Sequence, residues 1–363
     1  MLLKDYIPNI KKKYSQIFFS GIAFDSSKVK RDYIFFAIKG NNFDGNKFIP
    51  NVIKKGCRII ISEKKINKRQ KGILFIYTKN IRKLLAEVSS KIYKDRPKNL
   101  IAVTGTNGKS SVSDFYYQIL KLNNKKVASI GTLGVKSDSF NSDLSNTTTD
   151  PIHLGKILNK LKKKLVDNVI MEASSHGLEQ NRLDGLLFNS GIFTNFSQDH
   201  LDYHNNLGDY LKAKLYLFKN LIKKKGHIIT DERLTEFGKI KKISINHNLT
   251  LQKINDKNLF EVISHLYQGE KQVIKIKRKN SIKTIKVNLI GKIQLKNIWM
   301  AIIAAKNSNL SLDSIFNVIS KIKPVKGRFE KIGKIKNNSK VILDYAHTPE
   351  ALKTCILNLK EQF

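Results

Sequence analysis

Residues Asn99-Leu100-Ile101-Ala102-Val103-Thr104-Gly105-Thr106-Asn107-Gly108-Lys109-Ser110 read as an apolar strand running into a glycine-punctuated loop. Val112, Phe115, Tyr116, Ile119 and Leu120 then recur at the spacing of one buried helical face, so the loop lies between a strand end and a helix N-terminus. That arrangement binds phosphate. Gly105 and Gly108 allow a tight turn that points backbone N–H groups at an anion, Lys109 adds a positive charge, and Ser110 offers a hydroxyl to Mg²⁺. The usual pattern has its first glycine where this chain has Val103, so the loop alone also admits a plain strand-to-helix turn.

With 363 residues, 41% of them hydrophobic, the chain is long enough for two or three domains with α/β character. No segment approaches the ~20 apolar residues of a membrane span, and the N-terminus lacks a signal-peptide run, so a cytoplasmic protein without membrane insertion is expected. Cys57 and Cys355 have no partner spacing for a disulfide framework or a structural zinc site. A net charge of +38 would attract polyanions, but the lysines are scattered, with no basic tail and no recognition motif. We read them as solvated faces and expect no nucleic-acid partner.

Residues 1 to about 95 form a first unit with strand-like runs at 16–19, 33–38, 58–61 and 73–77. The polar loops Phe24 to Val29 and Gly40 to Gly45 could hold a sugar or pyrimidine, or be plain turns. A second unit, 96–328, opens at Arg96-Pro97 with the phosphate loop. Strand-like runs at 127–130, 168–171, 190–194 and 227–230 alternate with helical stretches near 152–163 and 208–222, which implies a mostly parallel sheet with ligands at its C-terminal strand ends.

Several clusters fall at such ends. Asn146-Thr147-Thr148-Thr149-Asp150-Pro151 is a polar loop in which Asp150 suits a helix cap. Met171 to Arg182 contains a strand ending in Glu172, Ser174, Ser175 and His176, and a buried carboxylate there needs a partner or a metal. His200 and His204 stand four apart, on one face if helical, and with Glu172 they read as a metal cluster. Lys214 shares the apolar stripe of Leu211, Leu215, Phe218 and Ile222, where snorkelling is the ordinary explanation. Residues 231–290 show short alternation without identifiable chemistry, and Ile298 to Ala305 reads as a core helix.

In order along the chain, Gly105 to Ser110, Asn146-Thr147-Thr148, Met171 to Arg182, Asp199 to His204, Ala213-Lys214, Gly327-Arg328-Phe329-Glu330 and Asp344-Tyr345-Ala346-His347-Thr348-Pro349 resemble the motifs of the Mur ligase family. Thr149 and Gln294 depart from the family's proline and asparagine, and Asp25-Ser26-Ser27 from its Asp-Ser-Arg. The resemblance implies an N-terminal UDP-sugar-binding domain (1–95), a central P-loop ATP-binding domain (96–328) and the start of a third, Rossmann-like domain (329–363). It implies a monomeric ATP- and Mg²⁺-dependent amide ligase that adds a diamino acid, meso-diaminopimelate before L-lysine, to UDP-MurNAc-L-Ala-D-Glu. Nucleotide contacts would be Gly105, Thr106, Asn107, Gly108, Lys109, Ser110, Ser111, Asn297, Arg328, Asp344 and His347. Ser110, Glu172, His200 and an N-carboxylated Lys214 would hold Mg²⁺; Lys109, Glu172, His200 and Lys214 would be catalytic. Substrate contacts would be Phe24, Ser26, Asn41, Asn42, Phe43, Asn146, Thr147, Thr148, Ser174, Gln180, Arg182 and His204. Folylpolyglutamate synthase-like ligation, or nucleotide binding without catalysis, remains the alternative. Only 14 residues, Glu350 to Phe363, follow the last motif, which leaves one strand and one helix, so the expectation is that the chain binds both substrates and ligates poorly.

Overall fold

The computed structural model describes residues 1–40, 43–66, 70–254 and 256–363. They form two compact units: Met1–Arg96 with Thr149–Lys160 and Gln180–Leu186, and Pro97–Thr148 with Leu161–Glu179 and Leu187–Phe363.

The first unit is built on a four-stranded parallel sheet, β1 (Gly21–Ala23), β2 (Tyr33–Phe36), β3 (Ile59–Ser62) and β4 (Leu74–Tyr77), in that spatial order. Alternation sends Ile34, Phe36, Ile59 and Ile61 to one face, where helix Ile81–Ile92 covers them with Leu84, Leu85 and Val88. Phe35 and Ile60 point to the other face, against Val29 and Val52. Asn80 starts the covering helix by accepting the Lys83 N–H at 2.9 Å. The expected strand at 16–19 is instead irregular, with a single bridge between Leu2 and Phe18. The strand falls a few residues later, at Gly21, and the Tyr33 ring packs over this glycine, 2.6 Å from where a Cβ would stand.

The second unit holds a seven-stranded sheet. Its strands are β5 (Asn99–Thr104), β6 (Val127–Gly131), β7 (Gly134–Ser137), β8 (Asn168–Glu172), β9 (Phe188–Phe193), β10 (Ile222–Thr230) and β11 (Thr250–Lys253). The order is β11-β10-β9-β5-β8-β6-β7, parallel except for the β6–β7 hairpin. The central strand β5 therefore delivers the glycine loop to the middle of the sheet's C-terminal edge. Helix Lys109–Leu122 is buried along both apolar and small polar positions, and it shares one core with helix Lys292–Lys306, whose Ile298, Met300, Ala301 and Ile302 are almost fully enclosed. Asp150 caps helix Pro151–Lys163 as expected, accepting from Ile152 N and His153 N at 3.0 and 2.9 Å.

Two expectations change. The stretch 208–222 is an α-helix over Leu207–Tyr216 that widens into a π-helical turn, Leu217–Leu221. Asp199 to His204 is a turn rather than a helix, because His200 takes a positive φ of 53°.

Residues 231–290 supply a helix, β11 and an antiparallel meander of β12 (Glu261–Gln268), β13 (Lys271–Arg278) and β14 (Ser281–Val287), whose Ile274, Ile276, Ile285 and Val287 join the main core. After it come the hairpin β15 (Glu330–Lys334) and β16 (Lys340–Leu343) and helix Pro349–Gln362. Cys355 and Leu359 of that helix pack with Ile290, Ile293 and Phe329. Its polar side chains fix the turn at Gly291: Gln362 Oε1 accepts the Gly291 N–H at 2.7 Å, and Asn358 Oδ1 accepts that of Ile293 at 3.0 Å. Gln362→Ala would leave the buried Gly291 donor unpaired. It is expected to destabilise the chain by about 1–3 kcal/mol in urea denaturation; an unchanged midpoint would mean that the terminal helix does not anchor this turn.

Candidate active site

The glycine loop is shaped by its neighbours as much as by its own glycines. Gly105 has φ +145°, and a Cβ there would fall 1.9 Å from Thr194 Oγ1; Gly108 has φ +85°, and a Cβ would fall 2.7 Å from Asn297 Oδ1. The segment after β9 holds the loop from beneath. Asn195 accepts the Thr106 N–H through its backbone carbonyl at 3.0 Å and the Asn107 N–H through its side chain at 2.8 Å. Thr194 Oγ1 donates to Asn107 O at 2.6 Å. Thr106 Oγ1 donates to Ser197 O and accepts from the Tyr210 hydroxyl at 3.3 Å. Thr194 and Asn195 did not stand out in the sequence, although a position directly after a parallel strand is itself a signal.

Lys109 curls back over the loop, donating to Gly105 O at 3.0 Å and Thr106 O at 2.7 Å. Burial lowers its pKa, with Glu172 opposing the shift. Lys214 reaches the same place from helix Leu207–Tyr216. It does not snorkel: the residue is 1% exposed, and Nζ donates to Gly105 O at 2.8 Å while lying 4.2 Å above the Tyr210 ring. Two lysines thus share one carbonyl. Burial, and then the charge of Lys109, hold Lys214 well below its ordinary pKa.

Glu172, at the end of β8, is 3% exposed. Ser110 Oγ donates to its Oε2 at 3.2 Å. Thr132, in the β6–β7 turn, donates its N–H to Oε1 at 3.0 Å and its hydroxyl to Oε2 at 3.1 Å. Thr148 Oγ1 donates to Glu172 O and accepts the Ser174 N–H, both at 2.9 Å, which ties the polar loop 146–148 to the strand end.

The expected grouping of Glu172 with His200 and His204 is not what forms. Among the described residues, no three His, Cys, Asp or Glu side chains gather as a metal-holding group. The positive φ at His200 turns the chain so that the imidazoles of His200 and His204 instead meet His176, with ring centroids 4.9 and 5.6 Å from it. His200 Nε2 stands 3.5 Å from Asp199 Oδ2, and burial lowers its pKa. His204 is 2% exposed. Its Nδ1 lies 3.0 Å from Glu179 Oε2 but off hydrogen-bonding geometry, and among the described residues neither ring nitrogen has a hydrogen-bond partner.

Above the loop opens a cavity of about 840 Å³, lined by Gly108, Ser111, Asn297, Arg328, Asp344 and His347. Residues distant in sequence thus converge where the sequence reading puts a nucleotide. The Arg328 guanidinium lies 4.5 Å over the Tyr345 ring, and Asp344 Oδ2 accepts the Phe329 N–H at 2.8 Å. Of the expected substrate residues, Phe24, Ser26, Phe43, Gln180 and Arg182 belong to the first unit and Asn146, Thr147, Thr148, Ser174 and His204 to the second. Phe43 is 74% exposed, and Arg182 Nη2 donates to Gln180 Oε1 at 2.8 Å. Asn41 and Asn42 lie outside the described residues.

Comparison with known proteins agrees with this layout. Residues 103–305 match the Mur ligase middle domain, and residues 19–101 match the Mur ligase family, catalytic domain. The chain is 37% identical over 356 residues to the UDP-N-acetylmuramoyl-L-alanyl-D-glutamate–2,6-diaminopimelate ligase of Rickettsia montanensis, covering 97% of this chain and 73% of that protein. It is 36% identical over 367 residues to the ligase of the same name from Fusobacterium nucleatum, covering 98% of this chain and 71% of that one. A solved structure of a UDP-N-acetylmuramoyl-L-alanyl-D-glutamate–2,6-diaminopimelate ligase has the same fold, with a TM-score of 0.83 and 24% identity over 99% of this chain and 74% of that one. With a glycine loop at the centre of its sheet and identity above 30% over nearly its whole length, the chain belongs to the Mur ligase family.

Proposed function

We propose that the chain is an ATP-dependent amide ligase that joins a diamino acid, 2,6-diaminopimelate, to UDP-N-acetylmuramoyl-L-alanyl-D-glutamate. The observation that carries this is the 37% identity to a ligase of that name over 97% of the chain. In the reaction, the substrate's free side-chain carboxylate attacks the γ-phosphorus of ATP, displaces ADP and becomes an acyl phosphate. The incoming amine then attacks the acyl carbon, loses a proton and expels inorganic phosphate. Both steps move negative charge, so positions of fixed positive charge and N–H donors carry the catalysis. In our reading the loop N–H groups and Lys109 hold the β- and γ-phosphates, and the cavity beside Asn297 and Arg328 takes the nucleoside.

The donor set fits Mg²⁺. Magnesium takes one or two protein oxygens and completes its shell with water and phosphate. The Glu172 carboxylate and Ser110 hydroxyl, 3.2 Å apart beside the loop, are such oxygens, whereas a closed all-protein cage is not what these residues form. Ser110 and Glu172 would hold one ion; His200 and a carboxylated Lys214 would hold a second. When bound, the metal neutralises charge on the transferring phosphate.

The purified chain, given ATP, the UDP-sugar dipeptide and either meso-diaminopimelate or L-lysine, is expected to accumulate tripeptide product with diaminopimelate in preference to lysine. Mass spectrometry of the accumulated product registers even slow turnover. ATP hydrolysis stimulated by a polynucleotide and indifferent to the UDP-sugar dipeptide would sink the proposal.

A further inference from the structure

We propose that Thr132 is a positioning residue that sets the geometry of the Glu172 carboxylate and couples it to the loop carrying Thr147. The inference rests on the ligase reading above. Three hydrogen bonds converge on this one residue. Its N–H binds Glu172 Oε1 at 3.0 Å, its hydroxyl binds Oε2 at 3.1 Å, and the same hydroxyl oxygen lies 3.1 Å from Thr147 Oγ1.

The geometry around it leaves the carboxylate little choice. A Cβ at Gly131 would fall 2.3 Å from Glu172 Oε1, so the carboxylate lies flat against the end of β6, where only glycine permits it. Gly131 pairs with Gly134 across the hairpin, which places Thr132 and Leu133 at the two turn positions. Thr132 is thus held by backbone while its side chain is solvent-exposed, so its hydroxyl serves the carboxylate rather than core packing.

A single hydroxyl has one proton. When it donates to Glu172 Oε2, its lone pairs remain for the Thr147 hydroxyl, and Thr147 is then the donor between the two threonines. Ser110 Oγ donates to that same Oε2. The carboxylate oxygen that faces the phosphate loop is therefore oriented from two sides, by Ser110 on the nucleotide side and by Thr132 on the side of residues 146–148. A cation approaching this carboxylate would meet it already oriented, and the contact between the two threonine hydroxyls ties that orientation to the loop that the sequence reading assigns to the substrate.

The test uses the full chain, ADP and Mn²⁺ as a paramagnetic probe. Thr132→Val removes the hydroxyl and keeps the backbone donor. It is expected to weaken Mn²⁺ binding in the presence of ADP by about 10- to 100-fold, the usual range for partners of metal ligands, and to change the Mn²⁺ electron paramagnetic spectrum. Metal-free ADP affinity should stay as it was, and Thr132→Ser should recover most of the Mn²⁺ affinity. Adding Thr147→Val to Thr132→Val should cost little more, because the two hydroxyls act as one pair. Native Mn²⁺ affinity in Thr132→Val would overturn the proposal while leaving the ligase reading intact. A serine variant as weak as the valine variant would also overturn it, since the hydroxyl would not be the active group. Failure of the unsubstituted chain to bind Mn²⁺ with ADP would overturn both readings.

Discussion

Lys109→Met is expected to reduce tripeptide formation by at least ~10²–10³-fold, the range seen when one preorganised charge-stabilising donor is removed from an active site. In the proposed reading the lysine binds the phosphates, and its ammonium rests on Gly105 O and Thr106 O at 3.0 and 2.7 Å. Those carbonyls orient the side chain without neutralising it, so it can turn toward phosphate oxygens at little reorganisation cost. Methionine keeps much of the length and packing and removes the charge. Affinity for ATP should fall with turnover, because the same charge holds the ground-state phosphates. Binding of the UDP-sugar dipeptide, measured separately by calorimetry, should persist. Near-native product formation would remove the loop from the mechanism, and loss of dipeptide binding as well would point to misfolding instead.

The strand, glycine loop and helix at 99–122 were legible because their information is local: an apolar strand, two glycines at fixed spacing and a helical stripe all fall within one short stretch. The mostly parallel sheet of the second unit followed from the alternation of strands and helices. The place of the first strand, at Gly21–Ala23 instead of 16–19, was hidden, because nothing local shows that the Tyr33 ring stands over Gly21. The separation of Glu172 from the histidines was also hidden, since it depends on a positive φ at His200 that residue type does not announce. Thr132 was missed for the converse reason. Gly131-Thr132-Leu133-Gly134 reads as a hairpin turn and is one, and only the register of β6 beside β8 brings it to Glu172. Lys214 stood between these cases. A lysine on an apolar stripe was visible as an anomaly, but the carbonyl it binds is 109 residues away.

That lysine carries the other large effect: Lys214→Ala is expected to remove ligase activity as thoroughly as the loss of Lys109. As an amine it is poorly placed, buried, with no ion-pair partner among the described residues, and sharing Gly105 O with a second lysine. Burial and Lys109 hold its pKa well below 10.5, so the folded chain gives up this proton at a lower pH than the unfolded chain does. The sign follows: unfolding takes up a proton, so this group lowers stability most below its folded pKa, and the penalty fades as pH rises toward 10.5. The free base is also the form that reacts with carbon dioxide. The amine nitrogen bonds to the carbon of CO₂ and loses a proton to solvent, leaving an N-carboxylate. An uncharged amine beside Lys109 then becomes an anion facing it, with two oxygens available to a cation. In ¹³C-bicarbonate the unsubstituted chain should show a carbamate carbonyl resonance that Lys214→Ala lacks, and short-chain carboxylic acids should restore part of the variant's activity. An unmodified amine in a structure with metal and nucleotide bound would falsify the carbamate, as would full activity in Lys214→Ala.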